Sequence, residues 1–184
     1  MKKLLTTASA TLLLAGIATQ AQAADGTINF TGTVSAVTCT ISAAGGTTTG
    51  TVTLPTVAKS SLATSGATAG TTQFAINLTG CTGGSPAPTQ AAAWFENSGD
   101  VNAAGRLINS AAGGASNVEI ALYNLTSTSP IAIGAGSGAI GSSGTAYPIT
   151  SGSATLNYQA KYYATGAAGA GPVAGKVNYT IQYQ

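Results

Sequence analysis

The 184-residue chain contains no histidine, one tryptophan, one methionine and two cysteines, and charged residues make up only 5% of it. Without imidazole there is no side chain that ordinarily titrates near neutrality, no usual zinc site and no Ser-His-Asp relay. Six Lys and Arg stand against four Asp and Glu, a net charge of +2. That is far too little for the basic face that nucleic acid requires. The opposite extreme fails as well: a chain that is 44% hydrophobic with so little charge is not a disordered one. One folded domain is expected, with no catalytic residues, no metal or cofactor, and no small-molecule substrate.

The scarce charge is placed unevenly. Lys2 and Lys3 open the chain, Leu4 to Ala18 is mostly apolar or small, and Ala21-Gln22-Ala23 has the small-x-small pattern of a signal-peptidase site. Thr6, Thr7, Ser9 and Thr11 interrupt that run, which is also short for a membrane span. Residues 1–23 are therefore expected to be a secretory signal peptide. The remaining residues balance Lys59, Arg106, Lys161 and Lys176 against Asp25, Glu96, Asp100 and Glu119, so the mature chain is formally neutral. Glu96 and Asp100 are the nearest carboxylate pair and superficially suit glycoside chemistry. Their place at a strand end and in an Asn-Ser-Gly turn favours solvated surface groups.

In an exported protein an even cysteine count reads as a disulfide, here Cys39 to Cys81. The pair lacks the CxxC spacing of a redox or metal site.

Apolar residues alternate with Thr, Ser, Asn and Gln at period two, which predicts an all-β domain. The expected strands are Thr27–Ser35, Cys39–Ser42, Thr51–Leu54, Thr71–Thr79, Ala91–Asn97, Asn117–Leu125, Ser153–Thr165 and Val173–Tyr183. Short strands between turn signals imply a sandwich. Trp94 and Phe95 are adjacent in one strand and must face opposite ways, one of them into the core. Gly134 to Gly138 has the look of a phosphate loop but lacks the Lys-Ser/Thr ending, so a surface loop is expected. Asn-x-Thr triplets at Asn29, Asn77, Asn124 and Asn178 are attributed to strand alternation rather than to glycosylation.

The two ends are the informative parts. Ile28, Phe30, Gly32 and Val34 share one face of an amphipathic strand, with Thr27, Asn29, Thr31, Thr33 and Ser35 on the other. Val173, Gly175, Val177, Tyr179, Ile181 and Tyr183 alternate with Ala174, Lys176, Asn178, Thr180 and Gln182. Two arrangements are open: the N-terminal strand closes its own domain, or it adds to the sheet of a neighbouring copy.

The segment from Gly26 to Val34 ahead of Cys39, the second cysteine at Cys81, the stretch Tyr158 to Thr165, Gly171 in fourteenth place from the end and the penultimate Tyr183 together resemble the type 1 fimbrial major subunits of the chaperone–usher pathway. The resemblance spans the mature chain and departs from the pattern in the loops Gly83–Pro88 and Gly134–Gly144. It implies an incomplete immunoglobulin-like β-sandwich, the pilin fold, lacking its last strand, with residues 24–36 as an N-terminal donor extension and residues 37–184 as the pilin domain. It further implies a structural subunit that polymerises by donor-strand exchange into a pilus rod supporting cell adhesion. Its partners would be other copies and neighbouring pilus subunits, a periplasmic chaperone and an outer-membrane usher, and its route would run through the periplasm to the cell surface. Carried over by residue, Ile28, Phe30 and Val34 fill the groove, and Gly32 is the point of close backbone approach. Gly171, Val173, Val177, Tyr179, Ile181, Tyr183 and Gln184 form the strand held first by the chaperone.

Alternatives within and beyond that family are a minor or adaptor fimbrial subunit and a self-closed secreted immunoglobulin-like binding module. A two-domain tip adhesin needs an added lectin domain. A type IV pilin needs a long apolar helix after the leader, where this chain has a strand pattern.

Overall fold

The computed structural model describes residues 26–134 and 146–184. The expected signal peptide over 1–23, the first two residues of the donor extension and nearly all of the Gly134–Gly144 loop lie outside the described residues.

The chain divides into two units between Val34 and Ser35. In the first, residues 26–34 form neither helix nor strand. Their apolar side chains are open to solvent, Ile28 at 77%, Phe30 at 90% and Val34 at 102% of full exposure. The expected strand Thr27–Ser35 is thus present as a pattern without a ladder.

Among the described residues the second unit has eight strands: β1 (Thr38–Ala43), β2 (Thr68–Thr82), β3 (Gln90–Phe95), β4 (Leu107–Ile108), β5 (Val118–Asn124), β6 (Tyr147–Pro148), β7 (Ala154–Ala164) and β8 (Tyr179–Tyr183), with one 3-10 turn at Lys59–Leu62. They form a five-stranded sheet in the order β1-β2-β7-β5-β4 and a three-stranded sheet in the order β6-β3-β8. All the ladders are antiparallel. The period-two pattern explains the layering, because it sends Ala154, Leu156, Tyr158 and Ala160 of β7 to one face, where they meet Ile76 and Leu78 of β2 and Ile120 and Leu122 of β5. From the smaller sheet, Ala91, Ala93 and Phe95 close the same core. Phe95 is therefore the inward member of its pair, and Trp94 is half-exposed on the outer side.

Tyr158 ties the two sheets together. Its side chain is fully buried. Its ring lies 5.1 Å from Phe95, 5.7 Å from Phe74 and 5.9 Å from Tyr147, and its hydroxyl accepts a hydrogen bond from the Ala93 backbone N–H at 3.1 Å. Among the described residues β6 pairs with β3 at Gln90 and Ala91, and further along β3 the phenol is the partner of the Ala93 N–H. Burial drives the Tyr158 phenol well above its ordinary pKa. Tyr158→Phe leaves the Ala93 N–H buried and unpaired, and should lower unfolding stability by about 1–3 kcal/mol with the fold retained. Urea titration of the two proteins checks this.

Cys39 and Cys81 are joined by a disulfide, with Cα atoms 4.1 Å apart and a sequence separation of 42. The bridge links β1, an edge strand, to β2. It sits at the irregularity in their ladder between Thr38 and Thr40.

Candidate functional site

The C-terminal strand is shorter than its alternation predicts. Only Tyr179–Tyr183 forms a ladder, with Ala91 opposite Tyr183 and Phe95 opposite Tyr179. Residues 172–178 are held on the same side by single bonds instead. The Ala115 N–H donates to Pro172 O at 2.9 Å, Ser110 N–H to Ala174 O at 2.9 Å and Glu96 N–H to Asn178 O at 2.8 Å. The carboxylates read as solvated turn groups contribute here: Glu96 accepts from the Thr180 hydroxyl at 2.6 Å, and Asp100 lies 3.5 Å from the Lys176 ammonium. At the end of the strand, Gln184 O accepts from the N–H groups of Thr89 and Gln90 at 2.7 and 2.9 Å.

β8 is the outermost strand of its sheet, so its far edge has no strand neighbour among the described residues. An edge of that kind exposes a row of backbone donors and acceptors. Facing it is the stretch 48–57, which keeps an alternating pattern, with Val52, Leu54 and Val57 half-buried and their neighbours exposed, yet makes no ladder. One bond ties this stretch to β8, and one cavity brings its far end to the segment ahead of β8. The Tyr179 hydroxyl donates to Thr48 O at 2.8 Å, and Val57 and Val173 line one cavity of about 340 Å³ together with Leu62, Val118 and Tyr162.

Taken together, the apolar residues of the two stretches define a candidate groove. Val52 and Leu54 on one side and Val173, Val177, Tyr179, Ile181 and Tyr183 on the other all pack on the main core while remaining partly exposed. Burial pushes the Tyr179 and Tyr183 phenols up, so both stay neutral at physiological pH. Two glycines let the C-terminal stretch lie close. At Gly171, φ is +153°, and a Cβ would stand 2.7 Å from Ala115 N. At Gly175 it would stand 3.3 Å from Leu107 Cβ and 3.4 Å from Ile120 Cδ1.

Of the residues expected along the C-terminal strand, Val173, Val177, Tyr179, Ile181 and Tyr183 pack on the main core, Gly171 lies against the backbone of residues 113–115, and Gln184 is bonded to Thr89 and Gln90. Ile28, Phe30, Gly32 and Val34 belong to the other unit of the chain and are exposed. Sequence reasoning did not carry Thr51–Leu54 on to Val57 and did not single out Asn109. Pro55 and the exposed Thr56 break the alternation that would have extended the wall to Val57.

The sequence that builds this immunoglobulin-like sandwich matches a specific family. The sequence model described as FimA, type-1 fimbrial protein A, matches residues 54–184, which include β2 to β8. The chain belongs to the type 1 fimbrial protein family. It is similar to the major fimbrial subunit SMF-1 of Stenotrophomonas maltophilia, 47% identical over 174 residues that cover 93% of this chain and 99% of the relative. The F17 fimbrial protein of Escherichia coli is 41% identical over 177 residues, covering 94% of this chain and 95% of the relative. In three dimensions the chain is similar to the P pilus rod subunit PapA, with a TM-score of 0.58 over 79% of this chain and 99% of that one, at 18% identity. That likeness shows the incomplete sandwich of the pilin fold. Membership of the family makes the chain a structural subunit of fimbriae, filaments of the cell surface.

Proposed function

We propose that the chain polymerises by strand donation: residues 26–34 of one copy enter the groove of the next and complete its smaller sheet beside β8. The observation that carries this reading is a pairing of opposites within one sequence. An alternating apolar segment stands exposed and without a ladder, and a sheet edge with half-buried apolar residues stands without a strand neighbour among the described residues. Ile28, Phe30 and Val34 would fill the groove, and Gly32 would pass where it is narrowest. In this reading residues 24–36 are the donor extension and residues 37–184 the acceptor domain.

Energetics support the need for both halves. Burying Ile28, Phe30 and Val34 contributes about 1.5–3 kcal/mol each. Ordering Thr27–Ser35 costs about 1–2 kcal/mol per residue in backbone entropy. Side chains alone do not win, so the ladder along β8 and the closing of the acceptor core must supply the rest. The same edge would suit a periplasmic chaperone that pairs with β8 and holds the Gln184 carboxylate until an outer-membrane usher delivers the next copy. Residues 1–23 would direct export into that route. The name of the Stenotrophomonas relative, a major fimbrial subunit, favours the rod over an adaptor position.

The reading is tested on a denaturing gel of surface filaments run with and without boiling. Strand-donated polymers should give a ladder in the unboiled lane that collapses to one band on heating. A single monomer band in both lanes would assign the groove to a self-closed module.

A further inference from the structure

We infer that Asn109 is a positioning residue for the groove, holding its C-terminal wall in the shape that an incoming strand needs. The inference rests on the strand-donation reading above. Where β8 stops being a ladder, one side-chain amide takes the place of a strand. Asn109 Nδ2 donates to Ala115 O at 3.1 Å and Pro172 O at 3.2 Å, while its Oδ1 accepts from Ala111 N at 3.1 Å and Ala174 N at 3.0 Å. The amide is used at both ends. No other natural side chain of that length offers two donors and an acceptor with two lone pairs in one plane. Ser110 adds a bond from its hydroxyl to Ala174 O at 3.3 Å beside the backbone bond to the same oxygen.

What Asn109 fixes is the stretch 172–174, and Pro172 and Val173 line the cavity shared with Val57 and Leu62. The conformation there is a demanding one, because Gly171 precedes it at φ +153° and packs against the backbone of residues 113–115. Asn109 grips both sides of that contact, Ala111 and Ala115 on one and Pro172 and Ala174 on the other. Without the amide, those two backbone stretches keep the Ala115–Pro172 and Ser110–Ala174 backbone bonds but lose the four side-chain bonds that brace them. The wall would then be less well ordered before a donor strand arrives, and more of the ordering cost would fall on the incoming strand. Association should therefore slow, while dissociation, which starts from a wall already held by the donor, should change little.

The experiment uses the full mature chain carrying Phe30→Asp, so that the groove is filled only by an added, fluorescently labelled peptide of residues 26–36. Anisotropy gives the association and dissociation rates, and near-UV circular dichroism confirms a folded domain. Asn109→Ala and Asn109→Asp are compared with the parent. The aspartate keeps the acceptor for Ala174 N–H but turns a charge on Ala115 O and Pro172 O, so both variants should associate at least tenfold more slowly with dissociation within about twofold. Ser110→Ala, which removes a single exposed bond, should associate within about threefold of the parent. Equal association rates in the parent and the Asn109 variants would overturn the inference. So would a proportionate rise in dissociation, or failure of both variants to fold, since the amide would then serve general stability. A parent that binds no peptide at all would overturn the strand-donation reading itself, and this inference with it.

Discussion

Phe30→Asp should abolish filament assembly while the subunit is still exported and accumulates. Phe30 stands at 90% exposure in its own chain, so the substitution costs the free subunit nothing in packing. In the groove of a neighbour, on the strand-donation reading, a carboxylate would instead sit among apolar residues such as Val177, Tyr179 and Ile181. Losing the phenyl ring forfeits about 1.5–3 kcal/mol of burial, and desolvating the charge adds several kcal/mol more. At about 1.4 kcal/mol per decade, the fall in strand affinity exceeds a hundredfold. The unboiled ladder should vanish from the mutant, with an undiminished monomer band in the periplasmic fraction. Normal filaments from Phe30→Asp would remove this residue from the donor role.

Replacing both cysteines, Cys39→Ser with Cys81→Ser, should lower the unfolding free energy by about 4 kcal/mol, on the chain-entropy account of a loop of this length. The location makes that full loss credible. β1 is an edge strand with a disrupted register at the bridge, so little else holds the start of its ladder to β2. Small domains hold only about 5–15 kcal/mol in total, and one with an open groove starts from the lower part of that range. A urea midpoint that moves by less than the error of measurement would show that the β1–β2 ladder suffices without the bond.

The long strands were legible in the sequence because burial and chemistry agreed along them. β2, β5 and β7 carry the core-facing residues of the larger sheet, and Tyr158, Leu156 and Ala154 fall on one face as period two requires. β4 and β6 are two residues each and leave no period to read. The stretch Val173–Tyr183 alternates throughout, yet ladders only from Tyr179. Its first half takes its partners from Asn109, Ser110 and Glu96, and no pattern in the strand itself announces a side chain acting for a neighbour. Thr51–Leu54 has the alternation of a strand but no ladder, because pattern records which face meets the core, not whether a neighbour lies alongside. The same limit applies to Ile28, Phe30 and Val34. Their spacing is identical for a strand that closes its own sheet and for one that does not, and only their exposure separates the two.

The charged side chains have a wider consequence. Arg106 lies 2.6 Å from Glu119 and 4.1 Å from the centre of the Tyr163 ring, Asp100 faces Lys176, and the Lys161 ammonium sits 4.2 Å from the centre of the Tyr123 ring. Charges arranged in this way answer to neighbours inside their own domain, and few are left to attract or repel anything at a distance. With no histidine to gain a proton between pH 5 and 8, a filament of such subunits presents almost the same face to fresh water, brine and mildly acid fluid.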